Sequence, residues 1–268
     1  MKRIIPSAVA FLTLIALIAA GSVPAAATPA PNSAVFNTRV FNDCPTSVLN
    51  TTNNYPASVV IDDAQLDCGG FANLHNWRFS EDGATGAVFN NDSNFSFGAD
   101  LTISGAAEGE AGLQIAPWWS QNVDGRFNVR TTDGEIACFG GRLPFYSFTG
   151  SHGINYVKGD VIRLEVEYRP NNLNAASPAT IEYTVIYNST TYSSGQIQFD
   201  EGNPAENPPY GVYGILQDAR AGGYVQCFLQ GGNPAAQVVA EWANITFQDL
   251  GPVSVESTSW GTLKALYR

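Results

Sequence analysis

Val161-Ile-Arg-Leu-Glu-Val-Glu-Tyr168 decides the fold class. On an extended chain Ile162, Leu164, Val166 and Tyr168 fall on one side, with Arg163, Glu165, Glu167 and Arg169 on the other. That is a strand with one dry face and one wet face. Working outward, residues 95–103 alternate the same way, with Phe95, Phe97, Leu101 and Ile103 against Ser96, Asp100 and Thr102. Residues 126–130 and 135–139 flank Asp133-Gly134, a hairpin signal. Residues 181–187 turn at Asn188-Ser189 and return through 192–199. Further strands are expected over 211–217, 224–229 and 238–247, with no helix before the C-terminal tail. Strands at regular spacing, joined by Gly, Asn and Pro turns, predict an all-β sandwich or jelly roll of antiparallel sheets.

The start of the chain predicts export. Lys2 and Arg3 precede an apolar run over 8–20, then Pro24 and Ala25-Ala26-Ala27, the pattern of a cleavable signal peptide. That run is short of the roughly 20 residues a membrane span needs, so no transmembrane segment is expected. The expected organisation is a signal peptide over 1–27, a flexible stretch over 28–34, one sandwich domain over 35–250, and a linker with a short tail over 251–268. The expected location is secreted or at the cell surface. The net charge is −11, with 14% charged and 12% aromatic residues. Such a chain has too few cations to neutralise nucleic acid or anionic lipid, and enough aromatics for a large core.

Four cysteines, Cys44, Cys68, Cys138 and Cys227, in an exported chain read as disulfides. Three pairings are open. Cys44–Cys68, closing a local loop, with Cys138–Cys227, tying two central strands, is the one favoured. No C-x-x-C occurs and there are two histidines, His75 and His152, so zinc is disfavoured. In the tail, Trp260, Leu263, Leu266 and Tyr267 share a side at helical spacing. This suits either docking on the chain's own domain or recognition by export or surface-anchoring machinery.

Several stretches resemble a family of exported bacterial proteins over about residues 36–247: 41–47 (FNDCPTS), 71–83 (FANLHNWRFSEDG), 110–119 (EAGLQIAPWW) and 133–141 (DGEIACFGG). The closing 259–268 (SWGTLKALYR) resembles a terminal tag of exported bacterial proteins. More distantly, the hairpin over 180–199 and the strand over 242–247 resemble the concanavalin A-like lectin/glucanase jelly roll of the LamG type. That resemblance implies a fold that hosts lectins, glycanases, lyases and adhesion modules alike.

Candidate sites follow from chemistry. Glycosidases need two carboxyls across a sugar. Glu165 and Glu167 share a strand face about 6.5–7 Å apart by strand rise. Flanking Arg163 and Arg169 offer a ladder of surface ion pairs instead, which is favoured. Glu110 belongs to a second acid pair, Glu108-Gly-Glu110, expected in a solvated loop. Lyases of this fold carry Gln-x-His; Gln114-Ile-Ala116 lacks the histidine, and residues 210–217 echo their tyrosine strand loosely. A glycan-binding site needs exposed aromatic faces ringed by amides and charges. Trp118, Trp119, Arg126, Asn128, Arg142 and Tyr146 are the candidates. No cofactor is expected, although Asp62, Asp63, Asp92 and Asp200 sit in oxygen-rich turns suited to calcium.

The resulting expectation is non-catalytic binding of a polysaccharide, leaning away from an enzyme. A glycan hydrolase or lyase using Glu165, Glu167 or Glu110, and a structural or adhesive surface module, are the alternatives.

Overall fold

The computed structural model describes residues 27–117, 124–205 and 210–251. The expected signal peptide, Trp118, Trp119 and the C-terminal tail lie outside the described residues. Fourteen strands form two antiparallel seven-stranded sheets. The first contains β1 (Ser33–Asn42), β4 (Ala72–Ser80), β13 (Ala219–Phe228), β6 (Gly109–Pro117), β7 (Gly125–Arg130), β8 (Ile136–Phe139) and β9 (Tyr146–Ser147), in that order. The second runs β12 (Thr190–Gln198), β11 (Thr180–Tyr187), β10 (Val161–Arg169), β5 (Phe95–Ser104), β14 (Gln237–Asp249), β3 (Ser58–Ala64) and β2 (Val48–Asn54). The fold is a concanavalin A-like jelly roll. One short helix, α1 (Phe148–His152), is the only helix among the described residues, and no described helix is long and apolar enough to cross a membrane.

Period-two patterning builds the core. Ile162, Leu164, Val166 and Tyr168 of β10 are buried against Phe95 and Phe97 of β5, while Arg163, Glu165, Glu167 and Arg169 face out. The other sheet contributes Trp77, Phe79, Leu113, Phe127 and Val129. Trp77 and Trp242 meet edge to face across the layers, and Trp242 Nε1 donates to the Gly112 carbonyl at 3.0 Å. Gly223 makes room for them, since a Cβ there would lie 2.8 Å from the Trp242 ring and closer still to Trp77 Nε1.

A polar cluster seals one end of this core. A bulge in β1 places Arg39 at φ 54°, so that its backbone N–H donates to His75 Nδ1 at 2.9 Å. Nδ1 therefore carries no proton, and Nε2–H donates to Asp63 Oδ2 at 2.9 Å. Asn73 bonds Asp63 as well, and both histidine and aspartate are fully buried.

Cys44 and Cys68 are bonded, as expected. The Cys138–Cys227 bridge is not formed; both thiols are free and buried. The topology explains this correction. Cys138 lies on β8 and Cys227 on β13, with β6 and β7 between them. Three strand spacings come to about 14 Å, against the ~7 Å limit for a disulfide. Residues 211–217 are also not a strand. Gly214 lets this segment pass against the Tyr168 hydroxyl, and its backbone pairs irregularly, with the Tyr213 carbonyl accepting from Ala179.

Candidate active site

On β4, β13, β6 and β7 the residues between the core positions form one polar outer face. Register aligns them in rows. Arg78, Gly222, Gln114 and Arg126 make the first; Asn76, Tyr224, Gly112 and Asn128 the second; Leu74, Gln226, Glu110 and Arg130 the third. The glycines matter because they leave gaps that long side chains cross. Over Gly222, Arg78 Nη1 reaches Gln114 Oε1 at 2.5 Å. Over Gly112, the Tyr224 hydroxyl donates to Asn128 Oδ1 at 2.7 Å. Asn76, oriented by its neighbours, donates to Gln114 Oε1 and accepts from Arg78 Nη2, each at 3.1 Å.

Arg126 is the hub. It donates to Glu110 Oε1 at 2.7 Å and to Gln226 Oε1 at 3.1 Å, and its guanidinium stacks 4.7 Å from the Tyr224 ring centroid. Its Nη2 lies 3.6 Å from Asp124 Oδ2, at the start of β7. Arg78, Gln114, Asn128, Tyr224, Glu110 and Asp124 are all buried. Asn128 Nδ2 has no hydrogen-bond partner among the described residues, a costly state for a buried polar atom that has no other role, while Gln114 and Arg126 both pull on the Asp124 carboxylate.

This enclosure shifts protonation. Burial pushes the Asp124 carboxyl up to about 6, against the opposing pull of Arg126 and Arg78. Burial also raises Glu110, with Arg126 opposing. The Arg78 guanidinium is lowered to about 10 by burial, and burial drives the Tyr224 phenol well above its ordinary range. The arrangement offers two cations to hold an anion, an unpaired amide donor on Asn128, and one carboxyl that changes protonation near pH 6.

Of the residues singled out from sequence, Arg126, Asn128 and Glu110 come together here. Glu110 lies in β6, not in a solvated loop, because Gly109 begins the strand and pairs with Cys227. Arg142 follows β8, where its Nη2 donates to the Asp200 and Val212 carbonyls. Tyr146 on β9 bonds His152 Nε2 at 3.0 Å. Glu165 and Glu167 sit on the opposite sheet's outer face, bonded to Arg163 at 2.9 Å and Arg169 at 2.6 Å. Asp62 and Asp63 point to opposite sides of β3, and Asp62 accepts from Gln237. Among the described residues no metal-type cluster draws together more than one of Asp62, Asp63, Asp92 and Asp200. Arg78, Asn76, Asp124 and Tyr224 were missed. The available signal was the alternation Asn76-Trp77-Arg78-Phe79, aromatic inward and polar outward.

No protein-family model matches the chain, and no curated protein sequence matches it. Solved structures are similar in fold. The alginate lyase AlgAT5 of polysaccharide lyase family 7 is 12% identical over 81% of this chain and 94% of its own, with a TM-score of 0.40. An alginate lyase from Klebsiella pneumoniae is 9% identical over 74% and 84%, with a TM-score of 0.46. A Shewanella oneidensis MR-1 protein of unknown function is 9% identical over 84% and 83%, with a TM-score of 0.44. At these identities the likeness is one of fold. The expectation that leaned away from an enzyme is corrected here: the neighbours include enzymes that act on a polysaccharide. Among the described residues, the face described above is an enclosed set of titratable groups.

Proposed function

We propose that the chain is a polysaccharide lyase acting on an acidic glycan at the outer face of β4, β13, β6 and β7. One observation carries this reading: Asp124, a buried carboxyl raised to about 6, lies beside Arg126 and the Gln114 amide on a face that also holds Arg78.

Elimination on a uronate requires three things. The sugar carboxylate must be held so that charge building on it is stabilised. A base must remove the proton on the adjacent carbon. The glycosidic oxygen must leave with a proton. Arg78, Arg126 and the Gln114 amide suit the first. Asp124 in its ionised form suits the second, and once protonated it can return that proton to the departing oxygen on the same side. The C–H electron pair forms the new C=C bond and the C–O bond breaks, so nothing further is consumed. In the Gln-x-His comparison Ala116 stands where the imidazole would be, and its register partner is Arg220. Asp124 takes the proton-handling role in this reading.

The alginate named in the neighbours' titles is the first polyuronate to try, with pectate beside it. Ultraviolet absorbance of unsaturated uronate ends reports turnover. Asp124→Asn should lower the rate about 10²–10⁴-fold, and Glu165→Gln should leave it unchanged. No unsaturated ends from either polyuronate, or full activity in Asp124→Asn, would overturn the reading.

A further inference from the structure

The loop after β8 and the segment after β12 enclose a groove of about 400 Å³. Arg142, Phe145, Gln198, Asp200 and Asn203 line it. Phe145 is 69% exposed, the most open large apolar side chain among the described residues. The ring stands on the rim of the groove, beside its polar groups. Arg142 provides an independent sign. Its side chain is 7% exposed, yet Nε has no hydrogen-bond partner among the described residues. Its Nη2 is occupied by the Asp200 and Val212 carbonyls, which fixes the guanidinium in the groove wall. Asp200, by contrast, is 87% exposed at its side chain.

We propose that this groove is a second glycan-binding site, holding one sugar unit of the polysaccharide away from Asp124. The proposal rests on the reading that the chain acts on a polysaccharide. An apolar ring next to an amide, a carboxylate and a fixed N–H donor is the chemistry of a sugar ring, whose C–H face stacks and whose hydroxyls both donate and accept. A purely apolar ligand would leave Arg142 Nε unmatched, while Asp200 Oδ1 already accepts from Arg142 Nη2 at 3.2 Å and from the Gly202 N–H at 2.9 Å. A small anion would gain nothing from Phe145. Arg142 also lines a small separate cavity with Ile115, Ala116 and Pro117 at the end of β6.

Native gels cast with alginate, pectate or a neutral glucan test it on the full chain. Phe145→Ala and Gln198→Ala are the variants, since both side chains are exposed; Arg142→Ala would also remove the bonds to the Asp200 and Val212 carbonyls. Retention by a polyuronate should weaken about threefold to tenfold in each, with turnover of short oligosaccharides unchanged. Unchanged retention in both variants overturns the site, as does a wild-type chain that runs freely through all three gels. Retention lost in Phe145→Ala, with no unsaturated ends from wild type, supports the groove and overturns the lyase reading.

Discussion

Asp124 joins the stability of the protein to its chemistry. Its folded value, about 6, lies above the ordinary 3.8. As pH rises the unfolded chain therefore gives up this proton first, and the fold loses stability between about pH 4 and pH 6. Two pK units correspond to about 3 kcal/mol. Asp124→Asn keeps the neutral shape, so it should raise thermal stability at pH 7 by up to about that amount and flatten the dependence between pH 4 and 6. Thermal melts at pH 4 and pH 7 check this. In wild type, turnover should climb through a limb near pH 6, where the carboxyl ionises. A variant both more stable and inactive is the signature of a group kept for work instead of folding.

At the scale of elements, the β11–β12 hairpin turns through Asn188 and Ser189, at φ 51° and 62°. Two left-handed positions define the turn that matches strand twist. Ser189→Gly should therefore raise the urea midpoint, by about 1 kcal/mol of stability. Gly223→Ala should do the reverse: its new methyl meets the two core tryptophans, costing about 1–3 kcal/mol by the same titration. Legibility followed the environment of each strand. β5, β10 and β11 alternate visibly because one face is dry and the other wet. β4 and β6 are buried on both faces with polar residues among the buried ones, so the wet–dry contrast is weak and survives only as the polar–aromatic alternation of residues 76–79. Asn76, Arg78, Glu110 and Gln114 of the candidate site sit on those two strands. Arg126 and Asn128 were readable because β7 leads into the Asp133-Gly134 turn; Arg78 and Asp124 were not, since their meaning arises only beside Gln114 and Arg126.

For the whole molecule, the second disulfide failed as an expectation because counting cysteines ignores sheet order. Two strands separate Cys138 from Cys227, and burial holds both thiols well above their ordinary range. Alkylation of the native protein should therefore add nothing, and alkylation after denaturation should add two groups, read by intact mass. Replacing Cys44 and Cys68 by serine removes a cross-link of sequence separation 24, which should cost about 3 kcal/mol.

The bonded pair consists of the first two cysteines in the chain. A chain threaded N-terminus first into an oxidising compartment presents Cys44 and Cys68 before the others arrive. An oxidase that couples successive thiols would then make the bond observed, with no isomerase needed to correct it.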